Sequence, residues 1–221
     1  MIDPNDFYTD KQRDLQKQHD SHKLANVVVA SIVSEELQDP QIAFISSRDY
    51  FFLSSVNSSG EPTVSYKGGP VGFVKVQGSR TLIFPNFDGN GMFYSMGNIS
   101  ETGKIGMLFI DMETPNRVRV QGTAKTSDNP EFVGLVPGAN MVVEVGITTV
   151  FYNCARYIHK HKRISDSEYI PDENGKQPYP AWKRIDDVQD ALPTNDQNRA
   201  TDEGGIITYE EYVEKLEKGT S

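Results

Sequence analysis

Residues 50–152 form a succession of short strand-like runs, and this stretch restricts the fold more than any other feature of the chain. Runs rich in aromatic and β-branched residues fall at 50–56, 63–67, 72–76, 81–84, 104–112, 117–126 and 141–152. Gly, Pro, Asn or Ser separates nearly every pair, and these residues interrupt a strand more readily than they continue it. Strands this short and regularly spaced predict an antiparallel barrel, closed or nearly so. One short helix, at 92–98, is expected to interrupt them.

The flanks read differently. Residues 9–37 lack Gly and Pro, begin polar, and then place Leu24, Val27, Val28, Ser31 and Ile32 at three-to-four spacing. One helix is expected there, with Pro40 marking its end. Residues 166–205 are poor in aliphatics and full of Pro, Asp and Asn. Loops of that length are uncommon inside compact domains, so this segment is expected to wrap over the barrel or over a partner subunit. It leads into a helix opened by the capping-box pattern Thr208-Tyr209-Glu210-Glu211, with Tyr209, Tyr212, Val213 and Leu216 on one face. The expectation is one domain over 1–221: a helical segment at 1–40, a barrel at 41–165, and an extended segment at 166–221 ending in a short helix.

Composition narrows the function classes. A net charge of -9 argues against general affinity for nucleic acid, yet leaves room for a local pocket for one phosphate. No run approaches the roughly 18 apolar residues of a membrane span, and the polar start of the chain carries no signal segment. The single cysteine, Cys154, excludes an internal disulfide framework and fits a reducing compartment; a buried structural thiol is expected there. A cytoplasmic protein with no nucleic-acid or membrane partner follows as the expectation. Gly-x-Ser-x-Gly, His-Glu-x-x-His and Cys-x-x-Cys motifs are absent, so hydrolase and zinc readings lack support. His159-Lys160-His161 has no clustered Cys or carboxylate and makes a poor metal site.

Three stretches hold residues suited to chemistry. In Thr63-Val64-Ser65-Tyr66-Lys67-Gly68-Gly69-Pro70, strand alternation puts Thr63, Ser65 and Lys67 on one face. That face reads either as a phosphate cradle beside two glycines or as a polar outer face before a turn. In Phe84-Pro85-Asn86-Phe87-Asp88-Gly89-Asn90-Gly91-Met92 a strand gives way to a turn and a helix start. Backbone N–H groups there would suit an anion, or the segment is a tight turn alone. In Asn116-Arg117-Val118-Arg119-Val120-Gln121-Gly122 the arginines and Gln121 share a face, either as fixed donors for a ligand or as solvated exterior charges.

The ordered set Phe51-Phe52-Leu53-Ser54-Ser55-Val56, Gly60-Glu61-Pro62, Ser65-Tyr66-Lys67-Gly68-Gly69, Gly72-Phe73-Val74, Phe84-Pro85-Asn86-Phe87-Asp88-Gly89-Asn90-Gly91 and Arg117-Val118-Arg119-Val120-Gln121-Gly122 resembles the pyridoxamine 5'-phosphate oxidase-like, FMN-binding split-barrel family. Within it, the chain resembles an uncharacterised oxidase-like branch, and Asn153-Cys154-Ala155-Arg156-Tyr157-Ile158-His159 resembles that branch's closing motif, with Ala155 in place of a proline. The likeness spans residues 44–182. It implies a mainly β, six-stranded antiparallel split barrel with flanking helices, and a homodimer with FMN at the interface.

Carried over by position, the resemblance puts Ser65, Tyr66, Lys67, Gly68 and Gly69 on the ribityl-phosphate side. Phe84, Pro85, Gly89 and Asn90 would continue that pocket, and Arg117 would lie against the isoalloxazine. Arg156 and Trp182 would be contacts from the second subunit. Pyridoxamine phosphate oxidases carry an arginine where Ser65 stands and a C-terminal Arg-Leu-His signature; this chain has neither. The resemblance therefore implies an FMN-dependent oxidoreductase passing hydride through flavin N5 to or from an unidentified small molecule, without vitamin B6 oxidation. The alternatives are a low-turnover flavin protein for storage or sensing, and a barrel holding haem or another flat cofactor with His159 or His161 as axial ligand.

Overall fold

Side-chain alternation along β1 (Tyr50–Val56) sets the architecture. Phe51, Leu53 and Ser55 are buried, while the residues between them are half-covered, the two-residue period that lays one strand face on a core. The computed structural model, which describes residues 2–219, continues with β2 (Pro62–Gly68), β3 (Lys75–Gln77), β4 (Thr81–Asn86), β5 (Lys104–Asp111), β6 (Asn116–Ser127) and β7 (Met141–Asn153). All pair antiparallel in a single sheet of order β2-β1-β5-β6-β7-β4-β3. The sheet thus has seven strands where six were expected.

The sheet curls on itself. Three strands separate β1 from β4, yet the rings of Phe51 and Phe84 meet at 5.1 Å between centroids. Phe109 of β5 and Phe73 pack against the same Phe51 ring. All four are fully buried, and each such side chain contributes about 1.5–3 kcal/mol by leaving water. A bulge between Gln121 and Gly122 bends the long β6–β7 pair. A Cβ on Gly122 would stand 2.5 Å from the Gly146 carbonyl oxygen, so only glycine fits the bend.

Several strand and helix expectations require correction. The run at 72–76 is mostly turn: Gly72 has φ +75°, the Phe73 N–H bonds Pro70 O, and only Lys75–Gln77 pairs. The single helix expected over 9–37 is instead α2 (Asp10–Gln18) and α3 (His22–Ile32), preceded by α1 (Pro4–Phe7). Asp20, with φ 49°, breaks the run; aspartate tolerates the left-handed region better than most residues. Pro40 ends nothing. It occupies the first turn of α4 (Asp39–Ser46), where a missing N–H carries no cost.

Helix α5 (Tyr94–Thr102) lies later than the expected 92–98 and stops at Gly103, φ 66°. It is tied to β1 by Asn98 Nδ2 donating to Ser55 Oγ at 3.2 Å and by Thr102 Oγ1 donating to Val56 O at 2.7 Å. A short α6 (Pro130–Val133) precedes β7.

These elements belong to one compact unit, Met1–Asp166 with Ile170–Gly175; Ser167–Tyr169 with Lys176–Ser221 forms another. The second unit holds 3-10 turns at Ala181–Arg184 and Asp186–Ala191, then α7 (Arg199–Asp202) and α8 (Tyr209–Lys218). Helix α8 starts at the capping box read from the sequence, with Thr208 and Glu211 exchanging hydrogen bonds. Ala181, Ile185 and Ile207 form its apolar centre, and Lys183 Nζ reaches Asp196 Oδ2 at 2.7 Å in a buried ion pair. Among the described residues no helix is long and apolar enough to cross a membrane.

Candidate functional site

Strand register decides which way the polar face of β2 points. Thr63, Ser65 and Lys67 stand opposite Ser55, Leu53 and Phe51, and residues directly opposite in an antiparallel pair share a sheet face. All three therefore point to the inner side of the barrel. The outward face of β2 carries Val64 and Tyr66, both exposed. The polar outer face offered by the sequence does not exist: the polarity of this strand is inverted.

Because β2 is an edge strand, its inward residues are only half-buried. Burial pushes the Lys67 ammonium below the ordinary lysine pKa, and among the described residues it has no hydrogen-bond or ion-pair partner. An unpaired charge held away from water is unfavourable unless something else compensates it. Ser65 Oγ lies 3.2 Å from Ser95 Oγ, in hydrogen-bond reach. Ser95 is buried in the first turn of α5, so this contact joins the first candidate stretch to the second. Sequence reasoning passed over Ser95; its signal was a hydroxyl within the first turn of the expected helix.

The loop before α5 is open. Asp88, Gly89, Asn90 and Gly91 are exposed, and the Asn90 side chain turns back to accept the Met92 N–H at 3.1 Å. Phe93 then takes φ 48°, the left-handed region, which costs a non-glycine residue on the order of 1–3 kcal/mol. Phe84 and Pro85 are buried, Phe84 within the aromatic core. Tyr66 stacks on Tyr50 at 5.4 Å, on the side away from Ser65 and Lys67. A Cβ on Gly69 would fall 2.6 Å from the Phe73 ring, and one on Gly68 2.8 Å from the Tyr66 ring. Both glycines thus make room for the chain's own aromatics.

Arg117, the second residue of β6, lies on the outer face opposite Ile110 and Asn153. Asn153 Oδ1 accepts from Arg117 Nη2 at 2.8 Å, while Arg117 Nε is buried without a partner among the described residues. A buried N–H left unsatisfied costs about 1–3 kcal/mol, so this guanidinium is short of an acceptor. Within one chain, Arg117 and Lys67 occupy opposite faces of the sheet.

Cys154 is exposed, not buried as expected. The backbone N–H and Nε of Arg156 donate to its Sγ at 3.4 and 3.2 Å; these bonds, with the charges of Arg156 and Arg117, lower its thiol pKa. Arg156, His159 and His161 are exposed. Trp182 lies in the second unit, half-buried beside Ile185, with Lys183 Nζ 5.7 Å from its ring.

The model of the pyridoxamine 5'-phosphate oxidase family matches residues 37–149, just over half of the chain. The chain belongs to this family. Ser65, Lys67, Ser95 and Arg117 fall inside the match, whereas Arg156 and Trp182 lie beyond it. Similar solved structures include HupZ of Group A Streptococcus, at 16% identity over 57% of this chain and 99% of that one, TM-score 0.45. An FMN-binding protein of Syntrophomonas wolfei shares 16% identity over 50% and 81%, TM-score 0.35. The heme-storage protein HutZ of Vibrio cholerae shares 14% over 52% and 94%, TM-score 0.39. No curated protein matches the chain.

Proposed function

We propose that this protein binds FMN by its phosphate at Ser65, Lys67 and Ser95 and acts as an oxidoreductase on a small molecule in the cytoplasm. The observation that carries the reading is Lys67: a half-buried ammonium with no partner among the described residues, on the inner face of an edge strand whose Ser65 meets Ser95 of α5. A phosphate accepts charge-assisted hydrogen bonds from such a set. Backbone N–H groups of Gly89 and Asn90, in the exposed loop that leads to Ser95, extend the anion-binding side. Arg117, with its unsatisfied Nε, suits a second acceptor on the same ligand, the isoalloxazine edge where negative charge collects on reduction.

Lys67 and Arg117 face opposite sides of one sheet, which supports a homodimer in which each ligand meets the inner face of one copy and the outer face of the other. Arg156 and Trp182 are then candidates for contacts from the second copy. Bound FMN would supply hydride or electron transfer; the residues here supply binding, orientation and charge stabilisation.

The test is the visible spectrum of the purified full chain, before and after added FMN, then under anaerobic NADPH. A flavin spectrum that bleaches supports the whole reading. Bound flavin that NADPH leaves oxidised restricts the protein to flavin binding or to another reductant. A colourless protein that ignores added FMN overturns the proposal.

A further inference from the structure

The segment that follows β7 turns its cations and an aromatic ring into solvent. Residues 156–163 carry four Lys or Arg, two His and no carboxylate, in a chain whose net charge is -9. His159, Lys160, His161 and Lys162 are exposed, and among the described residues their side chains have no hydrogen-bond or ion-pair partner. The backbone is nonetheless fixed. The His161 N–H donates to Met112 O at 3.0 Å, the Arg163 N–H to Glu113 Oε1 at 2.7 Å, and Arg163 Nε to Asp49 Oδ2 at 3.1 Å. Asp166 also pairs with the Arg163 guanidinium, so these carboxylates are engaged at Arg163 and not at the four side chains before it.

Tyr157 sharpens the pattern. The Ile158 N–H closes a turn on Ala155 O at 3.3 Å, and Tyr157, third in that turn, has φ 68° and is 93% exposed. Gly or Asn suits such a position; a tyrosine there accepts backbone strain and leaves its ring in water. A strained, solvent-facing ring beside unpaired cations suits a nucleotide, because the ring stacks on a base while the cations meet phosphate.

We infer that Tyr157, His159, Lys160, His161 and Lys162 bind the adenosine 2'-phosphate end of a free dinucleotide, NADPH, the two-electron donor to the flavin. The donor role rests on the FMN reading; the nucleotide site rests on this segment alone. Its position agrees with the role. Asn153 holds Arg117 at 2.8 Å and Arg156 folds onto Cys154, so the segment starts beside the guanidinium assigned to the isoalloxazine edge. One hydride leaves the dihydronicotinamide for oxidised FMN, giving NADP+ and the anionic reduced flavin. Several cations together match a phosphate monoester, which brings up to about two negative charges to one point. A nucleic-acid strand also offers bases and phosphates, but it would run beyond this short segment onto a chain of negative net charge.

Isothermal titration of the full chain with NADP+ and with NAD+ tests the site without any turnover. The expected result is tighter binding of NADP+ by roughly 3- to 30-fold, the range for one or two exposed ion pairs. Tyr157→Ala weakens both ligands at least about fivefold, and Lys160→Ala with Lys162→Ala removes the preference for NADP+. Should either variant lose its folded circular-dichroism signal, salt decides: the preference of the wild type disappears as KCl rises from about 20 to 300 mM. Equal affinity for NADP+ and NAD+, or NADP+ binding unchanged in folded Tyr157→Ala, overturns the inference. Binding of a single-stranded oligonucleotide in preference to NADP+ also overturns it and assigns the segment to nucleic acid. An FMN titration keeps the two readings apart. A chain that takes FMN and ignores NADP+ overturns this inference alone, whereas one that takes NADP+ and ignores FMN supports the nucleotide site and overturns the flavin reading.

Discussion

Replacing Lys67 with Met keeps most of the side-chain length and removes the charge. In the structure that ammonium is desolvated, lowered in pKa and without a partner among the described residues. If its purpose is to meet the phosphate of FMN, Lys67→Met removes a hydrogen bond to a charged group, worth about 1.5–3 kcal/mol. FMN binding then weakens roughly 10- to 150-fold, since about 1.4 kcal/mol is tenfold. Riboflavin lacks the phosphate, so its affinity stays at the wild-type value. Without ligand the sign reverses: the variant is more stable, because an uncompensated buried charge is gone. The pH dependence follows the same group. Its folded pKa lies below the ordinary 10.5, so wild-type FMN affinity falls at a lower pH than an exposed lysine would dictate. The unfolded chain binds more protons across that window, so wild-type ligand-free stability rises with pH there, and the rise is absent from the variant. Flavin fluorescence titration and urea midpoints measure both sides. Unchanged FMN affinity in Lys67→Met, or an equal loss of riboflavin, would refute the phosphate role.

Two further outcomes rest on the fold and its charges. Gly122→Ala forces a Cβ to within 2.5 Å of the Gly146 carbonyl oxygen, an overpacking expected to cost roughly 1–3 kcal/mol and to lower Tm by about 2–4 °C per kcal/mol. In Gly146→Ala the new Cβ has 3.7 Å to its nearest neighbour, so its Tm should hold, and equal losses in the two variants would defeat the bulge argument. For Asp111, burial raises the carboxyl pKa, but the N–H groups of Thr114 and Glu113 and the Arg48 guanidinium at 2.9 Å outweigh it and hold the pKa below the usual 3.8. Its contribution is present above that value and lost as pH falls through the folded pKa. The stability gap between wild type and Asp111→Asn in urea should therefore shrink from pH 7 to pH 3, and a constant gap would contradict it.

Much of the barrel was legible because its strands obey a strict local rule. The alternation of β1 gives its bounds to the residue, and β5, β6 and β7 fall within a residue of their expected ends. Failures came where one residue's conformation overrides a pattern. Asp20 turns left-handed in a stretch with no Gly or Pro to announce a break, and Gly72 does so within an apolar run. The candidate residues Thr63, Ser65 and Lys67 were legible as a set sharing a face. Their direction was not, because direction depends on which neighbour β2 pairs with and on Phe51 and Leu53 defining the inside. Cys154 looked like a core thiol only because the sequence cannot show Arg156 folding back onto it.

Strand β2 turns Val64 and Tyr66 outward, and α3 exposes its Leu24–Ile32 stripe. In β2 the same inversion drives Ser65 and Lys67 inward. A sequence that agrees with its fold elsewhere departs from the pattern where something outside the chain completes it. Lys67 makes the argument sharp, since among the described residues nothing compensates its ammonium and stability alone would favour an apolar side chain. Under the proposed reading the phosphate of FMN supplies that compensation, beside Ser65 and Ser95.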